Sequence, residues 1–277
     1  MQYTRKTFLQ LLGTGAVAAA TPALGRAAVP DKKSNVQLNL GLASYTLRSF
    51  TLDQAIAAAN RLNLTHIALK DMHMPLNLEE SEIKAIAEKV RASGIDLYGA
   101  GVIYMKSEDE VHNAFRYAQA AGIKVIIGVP NHELLPMVET KVKATGIKVA
   151  IHNHGPGDKV YPSPDTVFER IKNLDPRIGL CIDIGHTLRI GQDPAEKIKK
   201  YADRLYDLHI KDVNKAASDG SPLEFGRGVL DLPSVFKALK KIKYQGVVSI
   251  EYEKDGDDPM PGLAESVGYS RALMKLV

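Results

Sequence analysis

Cysteine occurs once in the 277 residues, at Cys181, and a single thiol excludes an internal disulfide. It stands beside Ile182 in an apolar run, which reads as a small buried residue rather than a nucleophile. No cluster of Lys or Arg stands out beyond ordinary helix faces, so the basic stripe of a nucleic-acid binder is missing. No Gly-rich phosphate cradle of the P-loop kind is present, and nothing therefore supports a phosphorylated substrate. No linker or low-complexity tract interrupts the chain after its first residues, which argues for one domain.

The one long uncharged run, 7–25, follows Arg5 and Lys6 and ends in small residues. It is too short to span as a mature helix and reads as an export signal over residues 1–27, followed by a tail over 28–35. Thr4-Arg5-Lys6-Thr7-Phe8-Leu9 resembles a twin-arginine signal with lysine as the second basic residue, the general secretory route being the alternative. Removing residues 1–27 takes away three positive charges and no negative one, so the net charge falls from +4 to +1. The expectation is a nearly neutral, exported, periplasmic protein with no nucleic-acid partner and no stable membrane association once the signal is cleaved.

What remains alternates. Short β-branched runs at 37–45, 65–70, 96–103, 124–129, 148–154, 178–183, 205–211 and 246–252 read as strands. Segments with apolar residues at three- and four-residue spacing follow at 52–62, 80–93, 108–121, 132–144, 164–173, 194–201, 232–242 and 261–276. Gly94, Gly122 and Gly146 each fall between a helix and a strand, where a left-handed cap is expected. Eight strand–helix units over 36–277 predict an α/β fold, a single (β/α)8 TIM barrel.

In such a barrel the C-terminal ends of the strands carry the chemistry. Five of the eight histidines, His73, His152, His154, His186 and His209, fall at those ends. Side chains two apart on a strand share a face, which aligns His152 with His154, His209 with Asp207 and Lys211, and Glu251 with Glu253. If these faces look inward, His152, Asp183, His209 and Glu251 come from four successive strands and converge on one point. Two imidazoles and two carboxylates suit a single divalent ion, Mn²⁺, Co²⁺, Fe²⁺, Zn²⁺ or, less well, Mg²⁺. A network of buried ion pairs is the alternative reading of the same residues.

The motifs His152-Asn153-His154, Asp183-Ile184-Gly185-His186, His209-Ile210-Lys211-Asp212, Gly226-Arg227-Gly228-Val229 and Ser249-Ile250-Glu251 together resemble the xylose isomerase-like, sugar phosphate isomerase/epimerase superfamily of TIM barrels. The resemblance runs from Tyr45 to Glu251. It implies a divalent ion held by Asp183, His209 and Glu251, with a glutamate usually supplied by the fifth strand, where this chain has His152 instead. Many family isomerases and epimerases use two metal-bound glutamates as opposed acid and base, and the substitution departs from that scheme. The chain is also similar to exported proteins with a His-Asn-His-Gly fifth strand, some of which look like lyases acting on 3-keto-glycosides. Inosose dehydratases have a similar histidine-rich strand.

The shared chemistry is removal of a proton next to a sugar carbonyl, with the metal stabilising the enediolate. Glu251, His154 and His186 are the candidate acids and bases. Lys211 either donates to the developing oxyanion or pairs with Asp183 or Glu253. Lys70, Asp71 and His73 bind sugar hydroxyls or serve as caps and salt bridges. Tyr45 and Tyr104 close over a sugar ring or pack with wet hydroxyls. The long loop 212–229 reads as a substrate lid bringing Glu224 and Arg227 to the site, or as a passive excursion. The expectation is a metal-dependent keto-sugar lyase or dehydratase, with an isomerase or epimerase as the alternative. An endonuclease IV-like nuclease and a non-catalytic sugar-binding protein are further readings; the nuclease would need an Asp-x-His where this chain has Asp212-Val213-Asn214.

Overall fold

Eight β-branched, apolar runs pair side by side, each with the next in sequence, and the last closes on the first. In the computed structural model, which describes residues 36–277, these strands are β1 (Asn39–Ala43), β2 (His66–Leu69), β3 (Asp96–Met105), β4 (Val125–Pro130), β5 (Lys148–His152), β6 (Ile178–Asp183), β7 (Leu205–Ile210) and β8 (Val247–Ile250). All pairings are parallel and the ring is closed by β8 against β1, with Asn39 opposite Val247 and Leu42 opposite Ile250. The single (β/α)8 barrel expected from the alternation is the fold observed. Residues 1–35, with the signal segment 1–27 and the tail 28–35, lie outside the described residues.

The helices are α1 (Leu52–Arg61), α2 (Glu80–Ala92), α3 (Glu108–Ala121), α4 (Leu135–Thr145), α5 (Pro164–Ile171), α6 (Ile184–Arg189), α7 (Pro194–Lys200), α8 (Leu232–Lys241) and α9 (Met260–Leu276). Their starts follow from local chemistry. Ser107, Ser163, Asp193 and Asp231 each accept a backbone N–H of the first turn, and proline opens α5 and α7, where its missing donor costs nothing. Gly122 and Gly146 end α3 and α4 at φ of 63° and 73°, the left-handed caps expected of them.

Three details differ from the periodicity. The segment 132–144 divides into a 3-10 turn, His132–Leu134, and α4, because Pro136 has no N–H to give and fits only the first helical turn. The helix α6 is six residues long, too short to show a period. Several strands end earlier than their apolar runs suggest: β5 stops at His152 and β7 at Ile210, so His154 and Lys211 leave the ladder. Those departures release side chains toward the mouth of the barrel.

The main apolar core lies between the sheet and the helices. Inside the ring a smaller cluster, Ala68, Ile127, Ala150 and Cys181, packs against Tyr98 and Tyr206. Above it the register sets the polar layers: Cys181 stands opposite both His152 and Asp207, and Asp183 opposite His209.

Candidate active site

The site is built on Asp183, whose two carboxylate oxygens have separate duties. Oδ1 accepts the His186 N–H at 2.8 Å and so starts α6. The backbone of Asp183 is clamped by Asn153, which accepts its N–H at 3.1 Å and donates to its carbonyl at 3.4 Å and to Thr187 Oγ1 at 3.3 Å. Oδ2 is thereby aimed into the barrel mouth, 3.5 Å from His152 Nε2 and 3.9 Å from His186 Nε2.

Across the mouth, His209 Nδ1 lies 3.1 Å from Glu251 Oε2. Lys211 Nζ bridges the two halves, 2.8 Å from Asp183 Oδ2, 2.9 Å from Glu251 Oε2 and 2.6 Å from Glu253 Oε1. Burying Asp183 and Glu251 would by itself push both carboxyls up. The basic groups around them prevail, chiefly His186 and Lys211 for Asp183 and His209 and Lys211 for Glu251, and hold both well below the usual range. Burial lowers the His209 ring too, but Glu251, Asp207 and Asp183 outweigh it and raise it to about 9. His152 and His186 lack that much compensation, and burial pushes each down to about 4.

One ligand atom each from His152, Asp183, His209 and Glu251 lies within 4.8 Å of the others. Both ring nitrogens of His152, Nε2 of His209 and Oδ2 of Asp183 are buried without an aligned hydrogen-bond partner. Buried polar atoms left in that state are costly and rare. A divalent cation is the partner that two imidazoles and two carboxylates suit, so the residues present fit the group the sequence implied.

A cavity of about 390 Å³ opens over this set. Of the residues expected at it, Tyr45, Lys70, Tyr104, His154, His186 and Glu251 line it, together with Val102 and Glu253. Tyr104 is 46% exposed; its ring stacks on His154 at 5.7 Å and its hydroxyl is 3.1 Å from His154 Nε2. Lys70 donates to the Val102 carbonyl at 2.7 Å.

Three expected residues are elsewhere. His73 is buried beside the cavity, its ring held between Ser44 Oγ at 2.9 Å and the Phe50 carbonyl at 3.0 Å, because an imidazole with two partners in reach satisfies both. Glu224 is drawn away by Lys254 at 2.7 Å and the Tyr252 hydroxyl at 3.2 Å. Arg227 makes a bidentate pair with Glu265, both bonds 2.6 Å. The carboxylate of Asp212 accepts four backbone N–H groups of the loop that carries them. An exposed pair such as Arg227 with Glu265 adds little to stability, because solvent screens it. Arg227→Ala is therefore expected to leave Tm and KM near wild type, and a large rise in KM would return the guanidinium to the substrate.

Asn153, Asp207 and Glu253 were not singled out as site residues by the sequence. The two-residue strand period puts Asp207 and Glu253 on the faces of His209 and Glu251 without giving either a role at the site. Asn153 carries no such signal.

A xylose isomerase-like TIM barrel profile matches residues 51–273. The chain belongs to that family. Among curated relatives, an inosose dehydratase of Clostridium botulinum (strain Alaska E43 / Type E3) is 28% identical over 142 residues, 45% of this chain and 45% of the relative. The chain thus spans about half the length of the curated relatives it matches. The crystal structure of IOLI protein with a bound zinc atom superposes with a TM-score of 0.73 at 17% identity, covering 86% of this chain and 98% of that one. The structure of L-ribulose 3-epimerase superposes with a TM-score of 0.70 at 15% identity, covering 86% and 95%. At such identities the structures show a shared xylose isomerase-like fold.

Proposed function

We propose that this xylose isomerase-like protein is a divalent-metal-dependent enzyme that removes the proton next to a sugar carbonyl and eliminates a β leaving group, from a 3-keto-glycoside or a related keto-sugar. The observation that carries the reading is the convergence of His152, Asp183, His209 and Glu251 on the floor of a sugar-sized cavity whose wall presents His154 and His186. The dehydratase name of the curated relative and the zinc in the IOLI structure support it.

The residues divide the work. His152, Asp183, His209 and Glu251 would hold the ion, which when bound supplies Lewis-acid stabilisation of an enediolate. His154 and His186, both half-exposed to the cavity, are placed to take the proton and to return one to the leaving group. Burial lowers both rings, so each is a neutral base at neutral pH. Lys211 offers an ammonium to the developing oxyanion, and Glu253, also on the cavity wall, orients it at 2.6 Å. Lys70 reaches hydroxyls at one side, while Tyr45 and Tyr104 flank the ring.

Isomerisation or epimerisation is the second reading. A paired-glutamate mechanism needs a carboxylate opposite Glu251, and His152 stands in that set instead. Export to the periplasm, read from residues 1–27, is part of the same proposal, and cell fractionation tests it.

The decisive experiment incubates metal-loaded protein with 3-keto-glucosides and with simple ketoses in deuterated solvent. Aglycone release from the keto-glucoside is expected, lost on exhaustive chelation. Deuterium uptake without release would replace elimination by isomerisation, and full activity after chelation would remove the metal from the mechanism.

A further inference from the structure

Beneath the proposed metal position lies a second donor set, which shares His152 and His209 with the first and adds residues that the reaction above does not use. Cys181 Sγ, a ring nitrogen of His152 and one of His209 lie within 4.8 Å of one another, and all three residues are buried. Asp207 stands beside the group: its Oδ2 is 3.5 Å from Cys181 Sγ and 3.5 Å from His209 Nε2. The Asp207 carboxylate is fully buried and takes the Tyr98 hydroxyl on its other oxygen at 3.0 Å.

Two features make this more than a lone cysteine. His209 Nε2 has no aligned hydrogen-bond partner although the residue is 1% exposed, and it faces Asp207 rather than Glu251. His152, 2% exposed, leaves both nitrogens unpartnered, and as a neutral imidazole it has one lone pair to give, to the upper set or to the lower.

We infer that Cys181, His152, His209 and Asp207 form a second, thiophilic metal site that shares its histidines with the first. A thiolate and two imidazoles with a carboxylate beside them suit soft ions such as cadmium or cuprous copper, whereas the upper set, with two carboxylates and no sulfur, suits harder or borderline ions such as Mn²⁺. The thiol proton leaves to solvent as a soft cation forms the bond to sulfur. Occupying the lower set takes the histidines away from the upper one. The consequence is selectivity by depth: hard ions settle at the mouth, and soft ions sink and block the reaction.

Titration of the metal-free full chain with cadmium tests this. One equivalent should bring up an ultraviolet thiolate-to-cadmium charge-transfer band. In protein preloaded with manganese, the same addition should release Mn²⁺, seen as the free-ion signal in electron paramagnetic resonance. Cys181→Ser, checked for folding by circular dichroism, should lose the band and weaken cadmium binding about tenfold or more, with manganese binding kept. Cadmium binding to wild type without a sulfur band, or simultaneous full occupancy by both metals, would overturn the inference. The wild-type measurements decide even if the variant does not fold. The inference does not depend on the keto-sugar reading: a cadmium–sulfur band in a protein that turns over no keto-sugar with any divalent ion would refute that reading and leave the lower site standing.

Discussion

Asp183→Asn is expected to lower kcat/KM by about a thousandfold and to abolish tight binding of the divalent ion while leaving the barrel folded. The amide has the shape of the carboxylate and keeps an oxygen for the His186 N–H that starts α6, so the local backbone is retained. What changes is charge at Oδ2, the atom aimed at His152, His186 and Lys211. A bound cation in this role supplies several kcal/mol of transition-state stabilisation, and about 4 kcal/mol corresponds to roughly a thousandfold in rate. An amide NH2 turned toward Lys211 adds a donor facing a donor, which disturbs the ammonium held there. Circular dichroism, a metal titration and steady-state kinetics separate the outcomes. Wild-type metal affinity in Asp183→Asn, with activity within tenfold, would remove Asp183 from the ligand set.

The same residue shows how far sequence carries. The strand order, the one-domain architecture and the four converging residues follow from two simple regularities: eight alternations of period, and side chains two apart sharing a strand face. Both depend on backbone geometry, which neighbours cannot alter. What sequence did not disclose was direction beyond the strand ends. His73, Glu224 and Arg227 were placed on the rim by position, yet outside the ladder a long or polar side chain turns to the nearest partner. Ser44 and Phe50 take the first, Lys254 and Tyr252 the second, Glu265 the third. Asn153 was hidden for the opposite reason. It alternates away from its two histidines, and its partners, the backbone of Asp183 and Thr187, become neighbours only when β5 and β6 pair. Lys211 was legible as a residue of the site, while its three carboxylate partners depend on how three separate chain segments meet above the ring.

Asp212→Ala is expected to be the most destabilising single change outside the apolar core. Asp212 follows Lys211 at the end of β7 and is fully buried. Its Oδ1 accepts the N–H groups of Val213 at 2.8 Å and Leu230 at 3.2 Å, and its Oδ2 those of Gly226 at 2.9 Å and Gly228 at 3.0 Å. One carboxylate thus gathers the ends of a loop of some eighteen positions, Val213 to Leu230, whose backbone would otherwise need water. Gly228 is part of the same design, since a side chain there would collide with this carboxylate. Alanine leaves four donors unpartnered at a cost of about 1–3 kcal/mol each where they stay dry. Some will find water as the loop loosens, so a net loss of about 3–5 kcal/mol is expected. At about 2–4 °C per kcal/mol for a domain of this size, Tm should fall by roughly 10 °C. Asp212→Asn separates charge from shape: its NH2 must face two of the four N–H groups, so it should recover less than half of the loss. Thermal unfolding gives the magnitude, and limited proteolysis within 213–230 gives the place. A Tm within about 2 °C of wild type for Asp212→Ala would mean that the ribbon of Asp212–Val213 against Pro222–Leu223 holds the loop without the carboxylate.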